Sequence, residues 1–265
     1  MSTTRSRLPA LVVALALLIP LFTTVGAQAD NDMRVLVFSK TTGFRHDSIP
    51  DGIAAIEKLG KQYRFTVDAT EDDSLFTDRN LKRYQAVVFL STTGDPLGTP
   101  EEKAAFQRYI EHGGGFVGVH AAADSGYAWP WFGELVGAYF LSHPAQQNAT
   151  VHVEHSHAAS NVGLPSDWTR WDEWYNYRSN PREVGVKVLA TLDESSYDPG
   201  PDAMGDHPIS WCHRVKNGRA WYTGMGHTKE SYSDPLFMRH VLGGIQMTAG
   251  RGAFPCSADA DHHGS

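Results

Sequence analysis

The first half of the chain alternates short, wholly apolar runs with segments whose apolar residues recur every three or four positions. Val35 to Ser39 and Ala86 to Leu90 are continuous runs, as expected of strands covered on both faces. Between them Ile49, Ile53, Ile56 and Leu59 mark a helical stripe that Gly60 should stop, and Tyr63 to Ala69 alternates like a second strand. Thr99-Pro100-Glu101-Glu102 reads as a helix start, with a Thr cap, Pro at the first position and Glu three residues after the cap. That helix turns Phe106, Tyr109 and Ile110 inward and ends at Gly113; Phe116 to His120 is then a fourth strand. Such units predict a parallel sheet with right-handed crossovers and helices on both faces.

The second half is patterned differently. Val151 and Val153 alternate with polar residues, Val186 to Leu192 is strand-like, and Pro208 to Met225 reads as a hairpin turning at Asn217-Gly218. Asp234-Pro235 caps a closing helix through Phe237, Val241, Leu242 and Ile245. The expectation is an α/β fold whose parallel sheet is extended by antiparallel strands. It forms one domain over residues 30–251, followed by a disordered tail, 252–265.

The chain's start reads otherwise. Arg5 and Arg7 precede the apolar run Leu11 to Phe22, and Ala27-Gln28-Ala29 offers a small-x-small cleavage pattern. Residues 1–29 are thus expected to be a secretory signal peptide, with the mature protein secreted and free of the membrane. Cleavage after Ala29 removes two basic residues and no acid, taking the formal charge from −7 to −9. Such a surface has no electrostatic reason to hold nucleic acid; a neutral or cationic substrate suits it better. Cys212 reads as a small core residue and Cys256 as part of the tail. A bridge between them is compatible with export, but spacing alone leaves it open. Asn148-Ala149-Thr150 matches a glycosylation acceptor.

Four segments could carry chemistry. Thr41 to Ser48 joins a buried strand to a helix N-terminus and contains Arg45 and His46. His120 stands at the carboxyl end of a buried strand, where open α/β sheets collect catalytic groups. Asp124, four residues on, could fix its tautomer. Trp168 to Tyr177 sets Asp172 and Glu173 among five aromatics, including Tyr175; aromatic faces stack on sugars and carboxylates move protons. The alternative there is core aromatics at alternating strand positions with surface acids. Thr223 to Tyr232 contains His227 between glycine and polar residues, with Glu230 following. His46, His120 and His227 could bind a divalent metal or share proton transfer without one, and no compact motif such as H-E-x-x-H decides. Trp129 could line a pocket or pack under a short helix; His143, before Pro144, could fall near the site. His152, His155 and His157 read as one solvated strand face.

Taken together, Thr41 to His46, Gly113 to Asp124, Gly133 to Gly137, His143-Pro144, Asp172 to Tyr175 and Trp221 to Tyr232 resemble the ThuA-like, trehalose-utilisation family, from about Val35 to Ile245. The resemblance implies a flavodoxin-like, class I glutamine amidotransferase-like fold. Gly118-Val119-His120 places imidazole where glutaminases present a nucleophilic thiolate, so glutamine hydrolysis by a thioester is excluded. It also implies sugar metabolism, in some relatives of disaccharides oxidised at the 3-position. The expectation is a secreted lyase or hydrolase for a glycoside or 3-keto-glycoside. In it His120 or His46 is base, Glu173 or Asp172 is acid, and Arg45 or His227 stabilises enolate charge. Asp124, Trp129, Tyr175 and Glu230 complete the sugar-binding set. The rivals are a carbohydrate-binding module without turnover and a metal-assisted hydrolase of a sugar or sugar ester. Whether the protein forms homo-oligomers is left open.

Overall fold

A computed structural model of the chain describes Met1, Ser2 and residues 33–256. The expected signal peptide and the tail beyond residue 256 lie outside the described residues. Among the described residues no helix is long and apolar enough to cross a membrane.

In chain order the elements are β1 (Arg34–Phe38), α1 (Ile49–Tyr63), β2 (Thr66–Thr70), α2 (Asp78–Leu81), β3 (Ala86–Leu90), α3 (Pro100–Glu111), β4 (Gly115–Val119), α4 (Pro130–Val136), β5 (Phe140–Ser142), β6 (Gln147–Val153), β7 (Asp167–Asp172), β8 (Asn176–Tyr177), β9 (Lys187–Asp193), β10 (Pro208–Val215), β11 (Gly218–Thr223) and α5 (Pro235–Thr248). Nine strands form one sheet in the order β2-β1-β3-β4-β11-β10-β9-β6-β7, and β5 pairs with β8 in a separate two-stranded sheet. Strands β2 to β11 in that order run parallel, and β10, β9, β6 and β7 continue antiparallel.

Strand alternation puts helices on both faces. Phe116 of β4 meets Phe106 of α3 at 6.3 Å between ring centroids. Trp221, paired with Val117 of β4 and so pointing the other way, packs on Gly244 of α5. The fully buried strands β3 and β4 lie between these layers. Helix α3 begins with the expected reciprocal cap: Glu102 N donates to Thr99 Oγ1 at 3.3 Å and Thr99 N to Glu102 Oε2 at 2.9 Å. Helix α5 is capped by Asp234, whose Oδ1 accepts from Leu236 N at 2.9 Å.

Several boundaries depart from expectation. Helix α1 runs through Gly60 to Tyr63, and Arg64 ends it in the left-handed region at φ 60°. Gly60 is needed for close approach instead, since a Cβ there would stand 2.7 Å from Phe65 O. Strand β2 consequently starts at Thr66. The β10–β11 hairpin pairs Val215 with Gly218, so its turn is Lys216-Asn217, one residue upstream of the pair expected from sequence, and Lys216 takes φ 53°. His155 and His157 lie in the loop beyond β6 and do not continue a strand face; His152 alone sits on it, bonded to Asp167 at 2.7 Å. In β7 the inward positions are Trp168, Arg170 and Asp172, while Trp171 is exposed. Cys212 of β10 and Cys256 are disulfide-bonded, with Cα atoms 5.5 Å apart. Gly252 to Cys256, assigned to a disordered tail, therefore ends in a buried anchor.

Candidate functional site

Three loops at the carboxyl ends of parallel strands each deliver one imidazole. His46 follows β1, His120 follows β4 and His227 follows β11. The His46 loop is tied to the loop after β3, where Thr42 N donates to Thr93 O at 3.0 Å and Thr93 Oγ1 to Phe44 O at 2.8 Å. His120 is the first residue past its strand, in a left-handed conformation (φ 50°) that turns the chain sharply into a short 3-10 helix. Tyr222 Oη donates to its carbonyl at 2.8 Å and holds that turn. Only a few per cent of non-glycine residues adopt such a backbone, and they concentrate at functional sites.

Glu173 comes from the other half of the sheet, immediately after β7. Its Oε2 lies 3.0 Å from His227 Nδ1 and 3.4 Å from His120 Nε2, and its Oε1 lies 3.3 Å from His143 Nδ1. His120 Nε2 and His227 Nδ1 are 3.1 Å apart. The imidazoles of His46, His120 and His227 stand nearly perpendicular to one another, with centroids 4.9 to 5.0 Å apart. One ligand-capable atom from each of His46, His120, Glu173 and His227 falls within 4.8 Å of all the others. Tyr175 closes one side, its ring 4.2 Å from that of His120 and 4.3 Å from Phe140. The His120 side chain is wholly buried, that of His227 is 17% exposed, and that of His143 is 43% exposed and forms the rim.

Asp172, expected as an acid, is fully buried and serves as a support. Its carboxylate accepts from Gly226 N at 2.8 Å, His227 N at 3.0 Å, Ser231 Oγ at 3.2 Å and Arg170 Nη2 at 3.0 Å. It thereby fixes the backbone that presents His227. Gly226 makes that turn at φ 111°, where a Cβ would stand 2.9 Å from the Phe237 ring.

Charge within the cluster is set by burial and proximity. Burial resists ionisation of Glu173, but the imidazoles of His120 and His227 set against it overcome that resistance and hold the carboxyl well below the usual range. Burial likewise opposes protonation of His227, yet its bond to Glu173 and the charges of Glu173 and Asp172 raise its pKa. His46, buried and beside His120 and His227, is pushed down to about 2. Glu173 is thus an ionised carboxylate, the reverse of the acid role expected for it. His120 Nδ1 donates to Gly224 O at 2.8 Å, so that carbonyl, and not Asp124, fixes its tautomer. Asp124 instead accepts from Tyr127 Oη at 2.6 Å.

The remaining expected residues stand apart from this contact set. Arg45 is exposed and pairs with Glu71 at 2.6 Å, so it makes no contact with the cluster that would stabilise an enolate. Trp129 stacks on Phe132 and packs at a tilt against Trp131 at the start of α4, the packing alternative of its two readings. Glu230 is exposed and opens the 3-10 turn Glu230–Ser233. Sequence reasoning placed His143 only as a neighbour and missed Arg170, Ser231 and the Gly224 carbonyl. His143 before Pro144 was the one local signal; the others act through geometry that spacing does not reveal.

A parallel sheet bearing loop imidazoles at its crest, completed by a carboxylate from an antiparallel extension, defines an α/β protein with a buried polar centre. The profile of the ThuA family, described as trehalose utilisation, matches residues 34–248, and the chain belongs to that family. Among solved structures it is similar to a ThuA-like protein from Bacteroides uniformis ATCC 8492, at 29% identity and TM-score 0.70 over 81% of this chain and 90% of that one. A ThuA-like protein from Parabacteroides merdae ATCC 43184 shares the fold at 20% identity and TM-score 0.67, over 82% of this chain and 90% of that one. No curated protein is significantly similar to the chain.

Proposed function

We propose that this protein cleaves the glycosidic bond of a small carbohydrate outside the cytoplasm, with disaccharides oxidised at the 3-position as the preferred substrates. The observation that carries the reading is the meeting of His120, His227, Glu173 and the half-exposed His143 at the carboxyl ends of the parallel strands, beside the Tyr175–Phe140 aromatic pair. Membership of a trehalose-utilisation family supports the substrate class, and the Cys212–Cys256 disulfide supports an exported setting.

A 3-keto group acidifies the hydrogen on C2. His143 Nδ1 is 2.9 Å from Pro144 O and 3.3 Å from Glu173 Oε1, so it donates there and leaves Nε2 as the base. His120 and His46 are too enclosed for the base role expected of them, at 0% and 4% exposure. Nε2 takes the C2 proton, the C2–H electron pair becomes the C1=C2 bond, and the C1–O bond breaks. The departing oxygen takes a proton from water at the rim. His227 has its Nδ1 directed to Glu173, and its Nε2–H donates to the oxygen on which enolate charge develops.

The test is turnover of oxidised and unoxidised disaccharides, followed as released sugar and enone absorbance. His143→Gln should lower turnover by about 10²- to 10⁴-fold, the range of a positioned proton carrier, whereas His152→Gln should leave it unchanged. Failure to turn over either substrate class, with sugar binding retained, would make the protein a binding module.

A further inference from the structure

Three acceptor atoms are crowded at the centre of the cluster. His120 Nδ1 gives its proton to Gly224 O, so the Nε2 of the neutral ring carries a lone pair. That lone pair faces His227 Nδ1 at 3.1 Å and Glu173 Oε2 at 3.4 Å, and the last two are 3.0 Å apart. A proton on His227 Nδ1 relieves two of these atoms. It does nothing for His46, which is 4% exposed and whose Nδ1 has no hydrogen-bond partner. Nitrogen or oxygen ligands about 2.1 Å from a cation stand about 3.4 Å apart when arranged tetrahedrally, and the ring centroids of such imidazoles about 5 Å apart. The 3.0 to 3.4 Å separations and the 4.9 to 5.0 Å centroid spacings of the mutually perpendicular rings match that pattern.

We propose that His46, His120, Glu173 and His227 ligate one borderline divalent cation, of which zinc is the first candidate, with a further position open towards His143. Three imidazoles and one carboxylate suit zinc and its first-row neighbours, whereas magnesium and calcium favour all-oxygen shells. The Gly224 carbonyl, which orients His120, and Asp172, which fixes the backbone of His227, are the outer partners that a metal-bound imidazole needs. Among the described residues of the cluster, solvent reaches the rim side, at His143 and the edge of His227. Glu173 Oε1 turns towards that same side while Oε2 faces inward. The inference rests on the glycoside reading in one respect only, that substrate oxygen enters at the open position.

The test needs no substrate. Purified full-length protein is stripped with chelator, dialysed against zinc and analysed for metal. In parallel it is titrated with Co²⁺, followed by its visible absorption. The expected result is about one ion per chain and a saturating tetrahedral or five-coordinate Co²⁺ spectrum. His227→Ala and Glu173→Gln should each weaken binding at least tenfold, and His143→Gln should retain it. A folded wild-type chain that retains no zinc and gives no Co²⁺ band overturns the proposal. So does binding that survives unchanged in both ligand variants. Turnover by metal-free protein would remove the metal and leave the glycoside reading. One ion per chain without turnover of any glycoside would do the opposite.

Discussion

Removing the Cys212–Cys256 disulfide gives the sharpest quantitative prediction. The bond closes a loop of 44 residues, from strand β10 to the end of the described chain. Cross-linking a loop of that length removes about 13 cal/mol/K of denatured-chain entropy, or about 4 kcal/mol at 25 °C. Both sulfurs are buried, Cys212 wholly and Cys256 at 2% exposure, so the folded state gains nothing from opening the bridge. Cys256→Ser should therefore unfold at lower denaturant, with a somewhat steeper slope because the uncrosslinked denatured chain is more open, and lose about 4 kcal/mol of extrapolated stability. For a protein of this size the melting temperature should fall by about 8 to 16 °C. Dithiothreitol should bring the wild type down to the same midpoint and leave the variant where it is. If the variant stays within about 1 kcal/mol of wild type, or if reductant moves both equally, the loop-closure reasoning is refuted.

Three further outcomes are expected. Asp172→Ala strips a wholly buried carboxylate from Arg170, whose side chain is 6% exposed. It should cost about 3 to 5 kcal/mol and speed amide exchange at Gly226 and His227; unchanged exchange there would show that Asp172 does not hold the loop. His240 is fully buried in α5, donates Nδ1 to Ser160 O at 2.9 Å, and has its pKa lowered by burial from 6.5 to about 4. Because the folded state resists the proton that the unfolded chain accepts, its contribution is intact above pH 6.5 and is lost as pH falls through about 4. Stability should drop by up to about 3 kcal/mol across that window, and a His240→Gln variant should show a correspondingly flatter urea-melt profile. Thr99→Ala removes the cap of α3 and should cost about 1 kcal/mol; a loss above about 3 kcal/mol would mean the residue does more than cap.

What the sequence made legible follows from how local each signal is. The capping box at Thr99 and the apolar run Ala86–Leu90 are encoded within a few neighbouring residues, and both stand where the pattern puts them. Gly60 misled because a glycine can serve close packing as well as helix termination, and the reason, Phe65 O, lies past the helix end. The β10–β11 turn slipped because strand pairing fixed the register ahead of the preference of Asn217-Gly218. The loop histidines were visible as residues at strand ends. Their partners were not, because the sequence contains no trace of which carbonyl will face His120 or that Asp172 will point into the protein. Asp124 looked like the partner of His120 by spacing, yet the sharp turn at His120 sends the two side chains to different neighbours.

The sheet order carries a consequence for how the molecule comes into being. His46 leaves a strand one place from one border of the sheet, and Glu173 leaves the strand at the opposite border. A nascent chain therefore carries all of His46, His120, Glu173 and His227 only once residue 227 has been made. The centre is complete only when β11, which leads to His227, docks beside β4. On the export proposed above, the centre closes only after translocation, and whatever it captures is then chosen by the compartment on the far side.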